Sequence, residues 1–304
     1  MNTAVILIVF NRPNTTQRVF EAIRQFKPDQ LLVIADGPRA DFPADVEKCN
    51  AARKIVEQVD WNCQVMKNYS QKNLGTQLRI SSGLNWAFEI VEQAIILEDD
   101  CLPHPSFFQF CEELLERYRD DERIMTISGN NFQFGRKRTE YSYYFSRYTL
   151  IWGWATWRRA WQHNDIKMEH WVSVRDDSWL QDILDDSKAV KYWSKLFQNT
   201  YEGNIDSWAF PWIFNSWIQN ALTILPNVNL VSNIGFSADA SNTKDIYSPF
   251  ANHPTQAMEF PLKHPPFIVR DTQADKFTQR THFDIGLMSK VRSKAKKVLS
   301  TFIC

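Results

Sequence analysis

Short apolar runs rich in β-branched residues recur about every 30 residues in the first third of the chain. They begin at Val5, Leu31, Cys63 and Ala94. The segments between them carry apolar residues at helical spacing, and about 30 residues accommodate one strand and one crossover helix. Crossovers of this kind are right-handed and give a parallel sheet with helices on both faces. The spacing therefore predicts an α/β fold built on an open, mostly parallel sheet flanked by helices.

The pattern changes after Asp100, where the chain becomes rich in tryptophan. The chain has 304 residues and 12 tryptophans, and ten of the tryptophans lie between Trp152 and Trp217. We expect residues 1–100 to form one half of a domain, residues 101–285 an aromatic-rich second half, and residues 286–304 a basic amphipathic tail. In the second half, periodicity predicts helices over residues 106–118, 188–200 and 207–221, strands over 123–128, 222–225 and 229–231, and loops over 237–266.

Charge and composition exclude several classes of function. Lys plus Arg and Asp plus Glu both number 35, so the formal net charge is zero and nucleic acid is not an expected partner. The five cysteines form no Cys-x-x-Cys pair, which argues against a zinc ribbon or redox motif, and we expect most of them to be buried. No run of 18 apolar residues occurs, and the N-terminal residues resemble a first strand rather than a signal peptide, so we expect a cytoplasmic protein.

Three consecutive acids, Glu98, Asp99 and Asp100, close the fourth apolar run. In an open α/β sheet, ligands bind in the crevice outside the carboxyl ends of the strands. Adjacent carboxylates repel one another, so a strand end that carries three of them favours a bound cation. Hard oxygen ligands suit Mg²⁺ or Mn²⁺, which bind one or two carboxylates together with substrate phosphates. The alternative is an acidic turn exposed to solvent, and the position at a strand end favours the metal site.

Other polar residues follow the remaining strands of the first half. Arg12 follows the first strand, Asp36 follows the second, and Asn73 precedes the helix that carries Arg79. These loops face one crevice, which suits a nucleotide, with Asp36 accepting from a base or ribose and Arg79 meeting a phosphate. Taken alone, the Asp-Gly pair at residue 36 is equally typical of a plain turn. The chain has no GxGxxG and no GxxxxGK[ST], which argues against a dinucleotide-binding fold and a Walker nucleotidase.

The combination of these motifs resembles a nucleotide-sugar glycosyltransferase of the GT-A fold. It consists of a sheet that begins at residue 5, the Asp-Gly at Asp36, the Asn-Leu-Gly at Asn73 and the Glu-Asp-Asp ending at Asp100. Leu-Glu-Asp-Asp followed by Pro-Ser-Phe-Phe from Pro105 is similar to the N-acetylglucosaminyltransferase I group, where the acidic triplet is the metal motif. The resemblance covers roughly residues 4–240. It implies that residues 1–100 bind a nucleotide-diphosphate sugar, UDP-linked, and that residues 101–285 bind the acceptor.

The resemblance also implies roles for individual residues. Asp100 would be the direct metal ligand, Asp99 would contact the ribose, and Glu98 would support the site from the fourth strand. Asp36 would lie near the nucleobase, and Arg12 near the diphosphate or the base. A metal ion at Asp100 would neutralise the leaving diphosphate and so assist its departure.

The tryptophans of the second half are the candidates for acceptor binding. Trp152-Gly153-Trp154 is similar to the Trp-Gly-Trp of galactosyltransferase-like members, which lies at the substrate cleft. Sugars present apolar C–H faces between their hydroxyls, so aromatic walls suit them. We therefore expect Trp152, Trp154 and Trp208 at an acceptor cleft. For four others we expect a place in the core, where tryptophan is commonly buried: Trp157, Trp161, Trp193 and Trp217.

One acid of the second half is the candidate catalytic base. Residues 204–208, Asn-Ile-Asp-Ser-Trp, stand where the related enzymes carry a Trp-Asp-Asp-Trp that contains the proposed base. Asp206 is the acid that remains, so the resemblance implies that it deprotonates the acceptor in an inverting transfer. Its alternative role is a helix N-cap, for which Asp is well suited. His170 and His253 are weaker candidates as metal or supporting ligands, because an isolated histidine is more often structural.

The C-terminal tail is the last feature with a functional interpretation. Five cationic residues lie beside Val298, Leu299, Phe302 and Ile303, which matches a helix lying on an anionic membrane surface. The alternative is a frayed, solvated terminus. We expect a cytoplasmic enzyme in peripheral contact with the inner face of the membrane, acting on a glycan or lipid-linked acceptor in surface-polysaccharide assembly.

Three function classes remain after these arguments. The leading hypothesis is a metal-dependent, inverting glycosyltransferase that transfers a hexosyl or N-acetylhexosaminyl group. A nucleotidyltransferase shares the sheet and the acids, but it normally carries a Gly-rich loop after the first strand, followed by Arg or Lys, and residues 11–15 supply none. A non-catalytic carbohydrate-binding protein would use the tryptophans and would leave the three clustered carboxylates without a role.

Overall fold

The computed structural model describes residues 3–236, 245 and 247–283. Eight of its strands form one sheet: β1 (Ala4–Val9), β2 (Gln30–Ala35), β3 (Gln64–Tyr69), β4 (Gln93–Glu98), β6 (Ile124–Ser128), β7 (Tyr143–Ser146), β8 (Trp154–Trp157) and β9 (Leu222–Pro226). Their order across the sheet is β3-β2-β1-β4-β8-β6-β9-β7. The short strands β5 (Cys101–Pro103) and β10 (Val231–Asn233) form a separate antiparallel pair.

Helices cover both faces of the sheet. They are α1 (Pro13–Phe26), α2 (Ala44–Val56), α3 (Thr76–Ile90), α4 (Ser106–Arg117), α5 (Arg158–Trp161), α6 (Trp171–Asp176), α7 (Leu180–Ile183), α8 (Ser187–Tyr201), α9 (Ala209–Ile218) and α10 (Thr272–Thr278), followed by a π-helical turn (Gln279–Phe283). α1, α2 and α3 are the crossovers between the parallel strands β1 to β4. The α/β class and the flanked, mostly parallel sheet predicted from the sequence are confirmed.

The apolar runs of the first half form the interior of the sheet. All six residues of β1 are buried, as are four of the six residues of β4. These strands carry helices on both faces, which is why their sequences are continuously apolar rather than alternating. The order β3-β2-β1-β4 is that of the Rossmann-type nucleotide-binding half. The four predicted strand starts each lie within one residue of the observed ones.

The second half completes the sheet in a way that periodicity alone does not reveal. Residues 141–161, for which the sequence gives no clear pattern, form β7, β8 and α5, and β8 inserts antiparallel between β4 and β6. The strand predicted over residues 229–231 instead covers Val231–Asn233 and pairs with β5. Asn229 lies outside it, and its side-chain amide donates hydrogen bonds to the carbonyls of His253 and Pro254, at 3.3 and 3.2 Å.

Seven buried tryptophans of the second half belong to two aromatic clusters in the core. One cluster packs Trp161 and Trp212 against the sheet, with ring centroids 5.2 Å apart. The other joins Trp193 to Trp217 at 4.7 Å, together with Phe197. The four tryptophans predicted to be core are each at most 3% exposed, which confirms that prediction: Trp157, Trp161, Trp193 and Trp217.

Several further sequence expectations can be compared with the described residues. Cys49, Cys101 and Cys111 are buried free thiols, as expected. Residues 247–266 contain neither helix nor strand, which agrees with the predicted loops. Within the described ranges, none of the helices has the length and apolar character needed to cross a membrane. The predicted tail, residues 286–304, lies outside the described residues.

Candidate active site

Two neighbouring cavities open at the carboxyl edge of the parallel strands. The first, the strand-end cavity, has a volume of about 450 Å³ and lies beside the ends of β1, β2 and β4 and the start of α3. The second, the aromatic cavity, measures about 430 Å³ and lies between the acidic triplet and the second half. Five residues line both: Arg12, Thr76, Glu98, Ile205 and Asp206. From β1 the chain continues to β2 in one direction along the strand order, and from β4 it continues toward β6 in the other. This crevice is therefore the topological switch point where α/β sheets bind ligands.

The fold brings nearly all of the sequence-predicted site residues to these two cavities. The six predicted donor residues all line the strand-end cavity: Arg12, Asp36, Asn73, Arg79, Glu98 and Asp99. Asp100, Trp152 and Trp208 line the aromatic cavity, and Asp206 borders both. Neither cavity is lined by His170 or His253. Residues from both sides of Asp100 in the sequence therefore line these two adjoining cavities.

Arg12 holds the acidic triplet together. It follows β1 directly, and its Nη1 donates hydrogen bonds to Asp99 Oδ1, at 3.4 Å, and to Asp100 Oδ2. Asp99 Oδ2 also accepts the backbone N–H of Phe10 at 3.0 Å, so the ends of β1 and β4 are tied together. Burial alone would lower the pKa of Arg12, but the carboxylates of Asp99 and Asp100 outweigh burial and raise its pKa. The guanidinium is a fixed positive charge in the crevice.

The carboxylates of the triplet destabilise one another's ionised forms. Burial raises the pKa of Glu98 to about 8, and the nearby charges of Asp100 and Asp99 add to the effect. Burial also raises the pKa of Asp99 to about 7, although Arg12 opposes that change. A divalent cation at these oxygens would offset the repulsion and favour the ionised carboxylates.

The triplet has the donor chemistry of a site for a hard divalent cation. Glu98 and Asp100 both border the aromatic cavity, and they offer carboxylate oxygens. The Asp100 carboxylate packs closely on the main chain of Gly235, where an added Cβ would lie 2.1 Å from Oδ2. Within the described ranges, no group of three or more His, Cys, Asp or Glu side chains has the arrangement of a metal site. The residues fit Mg²⁺ or Mn²⁺, which commonly take one or two carboxylates and complete their shell with phosphates and water.

Asp36 organises the loop that precedes α3. Its carboxylate is 7% exposed and accepts hydrogen bonds from the N–H groups of Gly37 and Leu74, at 2.8 and 3.0 Å, and from the Asn73 amide at 3.1 Å. Burial raises the pKa of Asp36, and the backbone hydrogen bonds oppose the shift. A Cβ on Gly37 would lie 2.6 Å from the carbonyl carbon of Lys72, so only glycine permits this approach. Contact of Asp36 with a nucleobase stays a prediction, since these bonds occupy much of its acceptor capacity.

Arg79 supplies a second positive charge to the strand-end cavity. The residue is 5% exposed, and its Nη2 donates to the carbonyl and the side-chain oxygen of Asn68 at 2.9 and 2.7 Å. Its Nε is buried and has no hydrogen-bond partner in the described part of the chain. Burial lowers the pKa of Arg79, and Asp36 acts in the opposite direction. A buried guanidinium that retains a free donor is suited to an anionic ligand, and its contact with a phosphate remains a prediction.

Asp206 caps a helix that is distant from it in sequence. Its Oδ2 accepts the backbone N–H of Thr76 at 2.8 Å, and its Oδ1 accepts that of Gln77 at 2.7 Å. Both belong to the first turn of α3, whose own N-cap residue, Gly75, has no side chain to supply. A Cβ at Gly75 would lie 2.9 Å from Asp206 Oδ2. Asp206 therefore does act as a helix N-cap, which is the alternative role that the sequence suggests. The helix that it caps is α3, not the one that follows it in sequence.

Aromatic and amide side chains form the wall of the aromatic cavity. Trp152 packs edge-on against Phe132 and Phe236, with ring centroids 5.3 and 5.7 Å apart. Its backbone N–H donates to Asn130 Oδ1 at 2.9 Å, which fixes the turn that carries it. Trp208 also lines this cavity but is 2% exposed. Trp152 is the tryptophan most available to a ligand here.

The structure corrects the expectation for Trp154. This residue is fully buried and lines neither cavity. Its indole stacks on Trp208 with centroids 5.4 Å apart and an interplanar angle of 22°. Trp154 begins β8, whereas Trp152 precedes the strand, so the two indoles enter different environments despite their spacing. Trp154 is a core residue.

Two further residues of the aromatic cavity carry no sequence signal that would mark them. Asn130 follows β6 and is 1% exposed, yet it lines the cavity. His282, in the π-helical turn, packs against Phe132 and Phe250 at 4.9 and 4.6 Å, and its Nδ1 is buried without a partner among the described residues. Burial lowers the pKa of His282 to about 4, so the imidazole is neutral at physiological pH. Only the return of the chain across the sheet brings this histidine to the cavity.

Comparison with known proteins gives little beyond the fold. No model of a known protein family matches the chain, and no protein of curated function matches it in sequence. Three of the solved structures with a similar fold are 4-diphosphocytidyl-2C-methyl-D-erythritol synthase from Anaerococcus prevotii, UDP-glucose pyrophosphorylase complexed with UDP-glucose, and HddC from Yersinia pseudotuberculosis complexed with GMP-PN. Each is 9% identical to this chain. Their TM-scores are 0.33, 0.32 and 0.31, and the matches cover 52%, 54% and 52% of this chain and 72%, 79% and 77% of the other. Similarity at this level carries no argument about activity.

Proposed function

We propose that this protein is a metal-dependent glycosyltransferase. It moves a sugar from a nucleotide-diphosphate donor, UDP-linked, to a hydroxyl of a glycan or lipid-linked acceptor in surface-polysaccharide assembly. The observation that carries this proposal is the meeting of a polar cavity and an aromatic cavity at Arg12, Glu98 and Asp206. A transferase must hold two substrates with their reacting atoms in contact, and two adjoining cavities of different chemistry serve that purpose.

The strand-end cavity supplies the donor side of the proposed reaction. Arg12 and Arg79 place positive charge where a diphosphate would lie, and charges fixed in advance stabilise a developing negative charge well. Glu98 and Asp100 would hold the divalent cation, which when bound neutralises the leaving diphosphate as a Lewis acid. Asp99 is oriented by Phe10 and Arg12, so it is available to a ribose at the end of β4.

The aromatic cavity supplies the acceptor side. A catalytic base must come within hydrogen-bond reach of the acceptor hydroxyl, and Asp206 borders both cavities. Each of its oxygens accepts one backbone N–H and keeps a further lone pair for a substrate hydroxyl. Trp152 offers an aromatic wall to a sugar ring. A single displacement, with Asp206 as base and the diphosphate leaving from the opposite side, inverts the anomeric carbon.

A nucleotidyltransferase is the second candidate function. The synthase and the pyrophosphorylase among the structures with a similar fold agree with it better than with glycosyl transfer, although their low TM-scores give them no weight. The local structure favours glycosyl transfer, because β1 ends at Val9 and α1 begins at Pro13. The first glycine of the chain is Gly37, so the short connection after β1 forms no Gly-rich loop to cradle a triphosphate.

One set of assays separates the two candidates. The protein is incubated with Mn²⁺ and a panel of nucleotide-sugars, and release of the nucleoside diphosphate is measured. In parallel, release of pyrophosphate is measured with nucleoside triphosphates and sugar 1-phosphates. We expect Mn²⁺-dependent diphosphate release from one donor and no pyrophosphate, whereas the reverse result would establish nucleotidyl transfer.

Matched variants connect that activity to the triplet. Asp100→Ala is expected to lower donor turnover by about 10²-fold or more, the typical cost of removing one strong electrostatic contact in an active site. Asp120→Ala is the control, since the side chain of Asp120 is 92% exposed and lines neither cavity. Undiminished metal-dependent turnover in Asp100→Ala would rule out the assigned metal site.

A further inference from the structure

A third cavity lies at the edge of the sheet opposite to the candidate active site. It has a volume of about 700 Å³ and is bordered by Arg123 before β6, Leu222 at the start of β9 and Arg147 after β7. β6 and β9 are parallel to each other, and both run in the direction of β4, because β8 is antiparallel to β4 and to β6. Their amino ends are therefore remote from the carboxyl end of β4, where Asp99 and Asp100 lie. We call this cavity the amino-edge cavity.

Three arginines border the amino-edge cavity: Arg123, Arg147 and Arg270. Asp182 is a lining carboxylate. Arg123 pairs with Asp121 at 2.7 Å, and Arg270 pairs with Asp185 at 3.2 Å and with the buried Asp275 at 3.8 Å. The charges of Arg123 and Arg270 are therefore met by neighbouring carboxylates, which leaves Arg147 as the lining cation available to a ligand.

Arg147 is the cation best placed for a ligand. Its main chain is fixed, since its carbonyl accepts Trp217 Nε1–H at 2.9 Å and its N–H donates to Asp275 at 3.3 Å. The contacts of Arg147 with residues in the described ranges are made by its main chain, and the residue is half-buried. A partly desolvated charge without a counter-ion is costly, so an anionic ligand group at this position is stabilised.

Trp179 gives the rim of the cavity an aromatic surface. It is 51% exposed, an unusual state for so large an apolar side chain. Asn220 and Asp182 border the same cavity and supply donors and acceptors for hydroxyl groups. An exposed indole beside amide, carboxylate and guanidinium groups matches the chemistry of a sugar ring that carries hydroxyls and an acidic substituent.

We propose that the amino-edge cavity is a second saccharide site that binds a glycan bearing carboxylate groups. The carboxylate pairs with Arg147, the sugar ring packs on Trp179, and the hydroxyls bond to Asp182 and Asn220. Because it lies at the opposite edge of the sheet, the site holds a glycan chain without contacting the proposed reacting groups. This binding is independent of whether the carboxyl edge performs glycosyl or nucleotidyl transfer.

Calorimetric titration of the full chain tests the proposal with two oligosaccharides of equal length. Tetragalacturonate carries a carboxylate on every ring, whereas maltotetraose carries none. We expect tetragalacturonate to bind at least about tenfold more tightly, and Trp179→Ala and Arg147→Gln each to weaken that binding about tenfold or more. Arg147→Lys keeps the charge and is expected to restore part of the affinity.

The controls separate this site from others on the molecule. Tyr201→Ala removes an aromatic side chain of comparable exposure, 43%, that does not border the cavity, and it should leave binding unchanged. Adding UDP with Mn²⁺ should also leave tetragalacturonate binding unchanged. The proposal is overturned by absent binding, by equal binding of both oligosaccharides, by unaltered binding in Trp179→Ala and Arg147→Gln, or by competition from UDP.

Discussion

Asp206 caps α3 from a distant segment, and this allows its structural and chemical contributions to be separated. In Asp206→Asn the amide oxygen can accept one of the N–H groups of Thr76 and Gln77, but the amide nitrogen can accept neither. The loss of one hydrogen bond costs about 0.5–1.5 kcal/mol. The loss of the negative charge at the helix N-terminus costs about 0.3–1 kcal/mol. Because Asp206 is exposed, we expect the free energy of unfolding to fall by about 1–2 kcal/mol in total.

The expected effect on catalysis is much larger than the effect on stability. A change of 1 kcal/mol shifts the Tm of a large domain by about 2–4 °C, so the Tm of Asp206→Asn should fall by about 2–8 °C. The variant stays folded at 25 °C, yet removal of a general base lowers turnover by about 10²–10⁴-fold. The assay measures transfer of the sugar at saturating donor, together with thermal unfolding of the same samples.

Asp186→Asn is the control for a capping aspartate outside the site. Asp186 Oδ1 caps α8 by accepting the N–H groups of Lys188 and Ala189 at 2.8 and 3.3 Å, and Asp186 lines neither cavity of the candidate active site. Because one oxygen accepts both bonds, the substitution keeps them and removes only the charge, so the Tm should fall less than in Asp206→Asn, and transfer should be unchanged. If transfer by Asp206→Asn stays within about threefold of transfer by Asp186→Asn, Asp206 is a cap alone and the assignment of the base is wrong.

Three further predictions concern other positions. Burial raises the pKa of Asp275 to about 7 in the folded state, above its ordinary 3.8, so the native state binds the extra proton and stability falls as pH rises from about 4 to 7. Urea unfolding should show wild type and Asp275→Asn equally stable near pH 3, with the variant more stable by up to about 4 kcal/mol above pH 7; parallel pH profiles would refute this. Gly235→Ala would set a Cβ 2.1 Å from Asp100 Oδ2 and should lower Mn²⁺-dependent donor turnover by about 10²-fold, with kinetics at wild-type level as the contrary result. Trp154→Ala should lower the free energy of unfolding by about 3–5 kcal/mol and Trp152→Ala by much less, which chemical denaturation measures; equal losses would contradict the core assignment of Trp154.

Much of the carboxyl edge was predictable because strand ends in a parallel sheet fall at one edge. Arg12, Asp36 and the acidic triplet each follow an apolar run, and the register of β1 with β2 and β4 brings them together. The spacing of the apolar runs does not predict the hydrogen-bond partners of these side chains. Asp36 accepts hydrogen bonds from the loop before α3, and Asp206 caps α3. Both arrangements depend on contacts between segments far apart in sequence.

The second half was less predictable because its contacts are less local. β8 enters the sheet between β4 and β6, against sequence order, so no nearby periodicity marks it. Trp152 and Trp154 differ by two residues and look alike as a motif, but one precedes the strand and the other lies within it. His282, near the end of the described residues, lines the aromatic cavity, and no sequence motif predicts this position.

The sequence by itself determined the α/β class, the strands and helices of the first half and the edge at which the acids lie. Those features arise from hydrophobic periodicity and from strand direction, which are local properties of a chain. Tertiary structure alone decided that Trp154 is core, what Asp206 and Arg12 bind, and that a cavity with Arg147 and Trp179 lies at the opposite edge. Those outcomes depend on burial and on pairing between distant segments, and a side chain's burial is fixed only when its neighbours are in place.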